Sequence, residues 1–139
     1  MDPEIRPLTV AEVEALEAGL NLASRLADAP RPLRSDQIEA LYNLIYGSDA
    51  RKTDHIIAVG LAFGDDLLRH GAFEWVRVID DYGDETCVAI PGLSVYCAPI
   101  SMIQKRLSRG ELPGFVELRK ATISSMEDMV TTKTEERDW

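Results

Sequence analysis

Thr53-Asp54-His55-Ile56-Ile57-Ala58-Val59-Gly60-Leu61-Ala62-Phe63-Gly64-Asp65-Asp66-Leu67-Leu68-Arg69-His70-Gly71 contains an eight-residue run, 56–63, that is apolar all round a helical projection. A helix that is hydrophobic on every side has to be covered on more than one side by its own domain. The stretch therefore predicts a central buried helix with the rest of the chain packed around it. Gly60 and Gly64 lie four apart on one stripe, and each lowers helix propensity by roughly 0.8–1 kcal/mol relative to alanine. Keeping both implies a gain from missing side chains: either close approach of a neighbouring backbone or room for a ligand. Thr53 or Asp54 can cap the first amides, and Arg69, His70 and Gly71 form a cationic last turn with a C′ glycine. Asp65 and Asp66 sit where the helix dipole disfavours negative charge and call for a cation. Dipole complementarity and solvation explain the basic cluster at Lys105, Arg106 and Arg109 adequately. The specific alternative is that Lys105 or Arg106 pairs with Asp65, which would then matter more to stability than Asp66.

With 139 residues, 45% of them apolar and 28% charged, the chain is expected to form a single soluble domain spanning 1–139. A net charge of -9 argues against nonspecific nucleic-acid binding, which needs a basic face, and fits a basic partner. No basic start leads into an apolar signal segment, and the longest apolar run is too short to cross a bilayer. A cytoplasmic protein without a membrane partner is expected, with Cys87 and Cys97 reduced.

The parts follow in order. Thr9 with Glu12 forms a capping box ahead of Val13, Leu16, Leu20, Ala23 and Ala27 at helical spacing, giving a first helix over 10–27. After Pro30-Arg31-Pro32, Ser35 as N-cap opens a second helix through Ile38, Leu41, Tyr42 and Ile45 to Gly47. Together these make a helical N-terminal part, 9–47, ahead of the central helix, 53–70. Beyond Gly71 the period changes to 2, and 74–80, 85–90 and 94–98 read as a three-stranded antiparallel meander, 74–98.

A four-residue loop, 81–84, puts Val78 opposite Cys87, and a three-residue loop, 91–93, puts Cys87 opposite Cys97. One face then carries Val76, Val78, Cys87, Ala89, Val95 and Cys97, a surface on which a helix can lie. The two thiols would be neighbours there, inert if buried or a redox pair if reachable, and a one-residue change in loop length would put them on opposite faces. The other face holds Trp75, Arg77, Ile79, Thr86, Val88, Ile90, Ser94 and Tyr96, and needs cover from the chain's own helices or from a partner.

Pro99 starts a fourth helix with Ile100, Ile103 and Leu107 inward, a basic cluster at Lys105, Arg106 and Arg109, and Gly110 as its stop. A last helix, 115–130, uses Phe115, Leu118, Met126 and Met129. These two C-terminal helices fill 99–130, and a frayed tail is expected over 131–139. The predicted fold is thus α+β: a central buried helix on a three-stranded antiparallel meander, with an N-terminal helical pair and two C-terminal helices.

Gly60-Leu61-Ala62-Phe63-Gly64-Asp65, Trp75-Val76, Asp80-Asp81-Tyr82-Gly83, Ala89-Ile90-Pro91 and 99–106 resemble, in order and spacing, the bacterial domain-of-unknown-function family thirty-eight-oh-six. The resemblance covers His55 to Glu111 and leaves out the first two helices. It carries no activity, but it marks Asp65, Trp75, Asp80, Tyr82, Gly83, Met102, Lys105 and Arg106 as positions matching the family pattern. Asp81 departs slightly, since the pattern more often has glutamate there.

Catalytic chemistry is hard to assemble from these residues. His55 and His70 stand at opposite ends of one helix, about 22 Å apart at 1.5 Å per residue, and cannot share a site within one chain. No phosphate loop, dinucleotide fingerprint or zinc spacing occurs. The best metal option is the acidic turn of Asp80, Asp81, Asp84 and Glu85, whose order does not match a calcium loop; no metal or cofactor is expected.

The expectation is therefore a noncatalytic protein-interaction domain, with an immunity or antidote-type protein holding a basic partner as one concrete form. A small-molecule binder or enzyme with a pocket at the glycine stripe is the first alternative, and a structural homodimer the second. The candidate binding residues are Asp65, Trp75, Asp80, Tyr82, Tyr96, Lys105 and Arg106.

Overall fold

The computed structural model describes residues 2–137. In chain order the elements are β1 (Glu4–Arg6), α1 (Val10–Ala27), α2 (Ser35–Tyr46), α3 (Thr53–His70), β2 (Glu74–Asp80), β3 (Gly83–Ala89), β4 (Tyr96–Cys97), α4 (Pro99–Ser108) and α5 (Phe115–Arg137). The α+β class and the central helix are as predicted. The sheet has four strands in the order β1-β2-β3-β4, all antiparallel, because a short N-terminal strand that the sequence pattern did not signal pairs with β2.

Every residue of α3 from Ala58 to Gly64 is buried, and the helix touches α1, α2, α4, α5 and β3. Its glycines serve close approach. A Cβ on Gly60 would sit 2.6 Å from the Cα of Ile100, and one on Gly64 would meet the Trp75 ring and lie 3.0 Å from Cγ of Pro99. The first turn of α4, opened by Pro99, is thereby let down onto α3, and the notch holds protein atoms instead of open space. Phe63 meets Phe115 edge-on at 5.8 Å between ring centroids, and Phe115 meets Tyr42 at 5.4 Å, which joins α2, α3 and α5 in one core. The Tyr42 hydroxyl donates to the carbonyl of Glu111 at 2.5 Å and ties down the turn between α4 and α5.

Helix ends follow local chemistry, with corrections at α2, α3 and α5. Thr9 and Glu12 form the expected box: the Thr9 amide donates to Glu12 Oε1 at 2.8 Å and the Glu12 amide to Thr9 Oγ1 at 3.2 Å. For α2, Arg34 is the cap and its amide donates to Gln37 Oε1, while Ser35 turns inward to Asp66. Gly71 is extended at φ -157°, not left-handed, and the Phe73 ring packs where its side chain would be. The last helix continues past residue 130 to Arg137, so 131–137 is helical and not frayed; 138 and 139 lie outside the described residues.

Both loop lengths differ from expectation. Asp80 pairs with Gly83, so the first hairpin has a two-residue loop, Asp81-Tyr82, and Val76 lies opposite Cys87 and Val78 opposite Glu85. The shift is by two residues, which preserves faces. The second loop is one residue longer than expected. Ile90-Pro91-Gly92-Leu93 closes as a turn, with the Leu93 amide donating to the Ile90 carbonyl and Gly92 at φ +77°. Cys97 is consequently opposite Val88, and Tyr96 opposite Ala89.

The helices lie on the other face from the one predicted. Trp75, Val88 and Cys97 pack with the α3 core, whereas Val76, Val78, Cys87 and Ala89 form a separate buried cluster with Ile5, Tyr96 and Ala98. The cause is the notch, since a Trp75 ring seated at Gly64 fixes which way β2 faces. Cys87 and Cys97 therefore project from opposite faces, and burial pushes both thiols up to about 12. Thiolate is the reactive species, so at pH 8 neither cysteine of the native protein should react with a disulfide reagent such as DTNB. Both should react in denaturing urea; rapid native labelling of either would contradict this burial.

Beside the apolar part of the helix-facing surface runs a charged strip. Arg6 Nη1 donates to Glu12 Oε1 at 2.7 Å, Arg77 Nε lies 3.3 Å from Glu12 Oε2, and Arg77 also bonds Asp84 and Thr86. The Arg6 hydrogen bond, with the Thr9 amide second, holds the Glu12 carboxyl down at about 2. A carboxyl depressed in the folded state stabilises above its unfolded value, near 4.5, and loses that contribution as pH falls towards 2. Glu12→Gln should therefore flatten the fall in stability between about pH 4.5 and 2, measured by thermal melts. An unchanged slope would show that Glu12 is not linked to folding.

Candidate functional site

The β2–β3 hairpin brings three of the sequence candidates together. Asp80 Oδ1 accepts from the backbone amides of Tyr82 at 2.8 Å and Gly83 at 3.1 Å, closing the turn as an aspartate can. Gly83, at φ +148°, occupies a conformation that side chains disfavour and so allows the tight loop. Asp80 Oδ2 accepts from the Tyr96 hydroxyl at 3.3 Å, bracing the turn from β4. Burial, followed by the neighbouring Asp80 carboxylate, raises the Tyr96 hydroxyl above its ordinary value and keeps it a donor. The result is a stiff tip on which Tyr82 stands 98% exposed.

The acids around the tip have structural engagements. Asp84 bonds Arg77 and Glu85 accepts from Ser101, and the two point to opposite faces of β3. Among the described residues no group of three or more His, Cys, Asp or Glu is placed to hold a metal ion.

The other candidates lie elsewhere. Trp75 is at the far end of β2, packed against Gly64. Lys105 is exposed on α4, and Arg106 donates to the Met102 carbonyl at 3.1 Å with Nε 4.0 Å from Glu111. Asp65 does not meet either of them: it lies 3.8 Å from Arg69, and burial raises its carboxyl while Arg69 and Arg31 pull it back down.

The buried acid is its neighbour Asp66, at 1% exposure. Ser35 Oγ donates to Asp66 Oδ2 at 2.7 Å, and Arg69 Nη2 donates to Oδ1 at 3.1 Å. Arg119 donates to Ser35 Oγ at 2.7 Å and sits 3.5 Å from Asp66. Ser35 leaves the cap of α2 to join this cluster, which locks α2, α3 and α5 together. His70 Nδ1 is 2.8 Å from the Asp66 carbonyl, which can only accept, so that nitrogen carries the proton. A signal existed in the sequence: Val59, Phe63 and Asp66 recur at helical spacing on one stripe.

One further feature had no sequence signal. A cleft of about 330 Å³ is lined by Arg6, Pro7, Glu74, Trp75, Gly92 and Leu93 among others, where β1 ends beside β2.

These elements define a small α+β domain whose polar side chains are largely engaged in holding the fold. The chain belongs to the family of the domain of unknown function DUF3806, whose model matches residues 42–118. That span runs from within α2 to within α5 and includes α3, the hairpin and α4. No curated protein matches the chain. A crystal structure from Bacteroides thetaiotaomicron VPI-5482 is similar with a TM-score of 0.68 at 16% identity, over 88% of this chain and 48% of that one. The likeness is one of fold, and this chain spans about half the length of that protein. No helix among the described residues is long and apolar enough to cross a membrane.

Proposed function

We propose that this chain is a noncatalytic protein-interaction domain that engages a basic partner through the tip of its β2–β3 hairpin. The observation that carries this reading is Tyr82, an aromatic ring held almost wholly in water on a turn stiffened by Asp80, Gly83 and Tyr96. An exposed ring contributes little to folding, whereas tyrosine is enriched among residues that dominate binding energy. A rigid mount lowers the ordering cost of association. The net charge of -9 favours a cationic counterpart. An immunity or antidote-type protein in a bacterial cytoplasm is the concrete form, and the two free cysteines fit that compartment.

The test compares wild type with Tyr82→Ala, both used as bait at physiological salt in extracts of the native cells. Tyr82→Ala should leave stability within about 0.5 kcal/mol and abolish retention of a basic partner that wild type holds. Wild type recovered alone and monomeric, or equal retention by both baits, would refute the proposal.

A further inference from the structure

We infer that the outer edge of β2 at Trp75 is a strand-docking site for an extended peptide carrying a cationic side chain. This goes beyond the hairpin reading above and stands on separate observations. β1 pairs with only three residues of β2, through Glu4↔Ile79, Ile5↔Val78 and Arg6↔Arg77. In an antiparallel ladder, opposed residues alternate between pairs that exchange both backbone hydrogen bonds and pairs that exchange none. If Arg6↔Arg77 were of the second kind, the residue after Arg6 would have to donate its N–H to the Val76 carbonyl. That residue is Pro7, which has no N–H. Arg6 and Arg77 therefore exchange both bonds, and the next residue of β2 with its N–H and C=O turned to the same side is Trp75.

At Trp75, β1 has ended, and among the described residues no strand lies opposite on that side. The cleft of about 330 Å³ lies at this position, with Trp75 in its lining; its volume is at the lower end of the range for binding pockets, about 300–1,000 Å³. A donor and an acceptor on one residue, side by side at a sheet edge, match the N–H and C=O of one residue of an added strand. Glu74, exposed and without a salt bridge among the described residues, stands next to it. With the net charge of -9, it selects a peptide with lysine or arginine beside the paired residue.

The probe is a five-residue peptide alternating lysine and valine, acetylated and amidated, titrated into the ¹⁵N-labelled full chain. The control is the same peptide N-methylated at its central residue, which keeps charge and removes one backbone donor. The Trp75 amide should shift saturably and exchange more slowly, N-methylation should weaken binding roughly tenfold, and Glu74→Gln should weaken it up to about fivefold. Equal binding of both peptides would overturn the inference, as would shifts confined to acidic surface residues while the Trp75 amide stays still at millimolar peptide. A Trp75 shift that depends on protein concentration without peptide would assign the edge to a second copy of this chain and would also overturn it. Tyr82→Ala in the capture experiment tests the hairpin and this titration tests the edge, so either can fail without the other.

Discussion

Asp66→Ala is expected to lower folding stability by about 3–5 kcal/mol in urea melts, and Asp65→Ala by less than about 1 kcal/mol. The reason is what each substitution leaves behind. Removing the Asp66 carboxylate strands Arg119, whose side chain is largely buried, and Arg69, and takes from Ser35 the acceptor of its hydroxyl proton. A buried charge without its partner costs far more than a lost surface pair. Asp65 is partly exposed, with Arg69 at 3.8 Å, so water replaces what the substitution removes. This ordering reverses the one the sequence suggested. Asp66→Asn, which keeps an acceptor for Ser35 but not the charge, should fall between the two. Equal losses for the two alanine variants would show that the Ser35–Asp66–Arg119 cluster does not hold the helices together.

Gly60→Leu is expected to cost about 3 kcal/mol or more. On an open helix face the change would gain close to 1 kcal/mol of propensity. Here the new Cβ would lie 2.6 Å from the Cα of Ile100 and 3.1 Å from its amide nitrogen. Backbone cannot swing aside as a side chain can, so α4 must move off α3, and overpacking of this kind typically costs 1–3 kcal/mol before the rest of the leucine is placed. Gly60→Ala isolates the first atom and should also destabilise. A stabilised alanine variant, by thermal melts, would mean that the notch is empty space and that α4 does not press its backbone against α3.

What could be read in advance was whatever local chemistry fixes. The Thr9–Glu12 box set the start of α1, Pro99 the start of α4, and the unbroken apolar run the burial of α3. Strand faces were less legible because they depend on loop lengths: two residues fewer at Asp81-Tyr82 changed the register but kept the faces, while one more before Val95 separated the cysteines. β1 was invisible because Glu4-Ile5-Arg6 lies between Pro3 and Pro7 and is too short to show a period; the sheet supplies its structure.

The choice between Asp65 and Asp66 depended on which side of α3 meets Ser35 and Arg119, contacts from far along the chain. At the candidate site, Asp80, Tyr82 and Tyr96 were named from the sequence and meet in space. Trp75, Asp65, Lys105 and Arg106 do not join them, since matching a family pattern marks positions and not proximity.

The most direct test of the proposed contact surface is amide hydrogen exchange across the whole chain, free and in complex with the partner retained by wild type. The hairpin reading predicts that protection on binding centres on Asp81, Tyr82 and Gly83. Protection centred on α4 around Lys105, with the hairpin amides exchanging as fast as in the free protein, would contradict it.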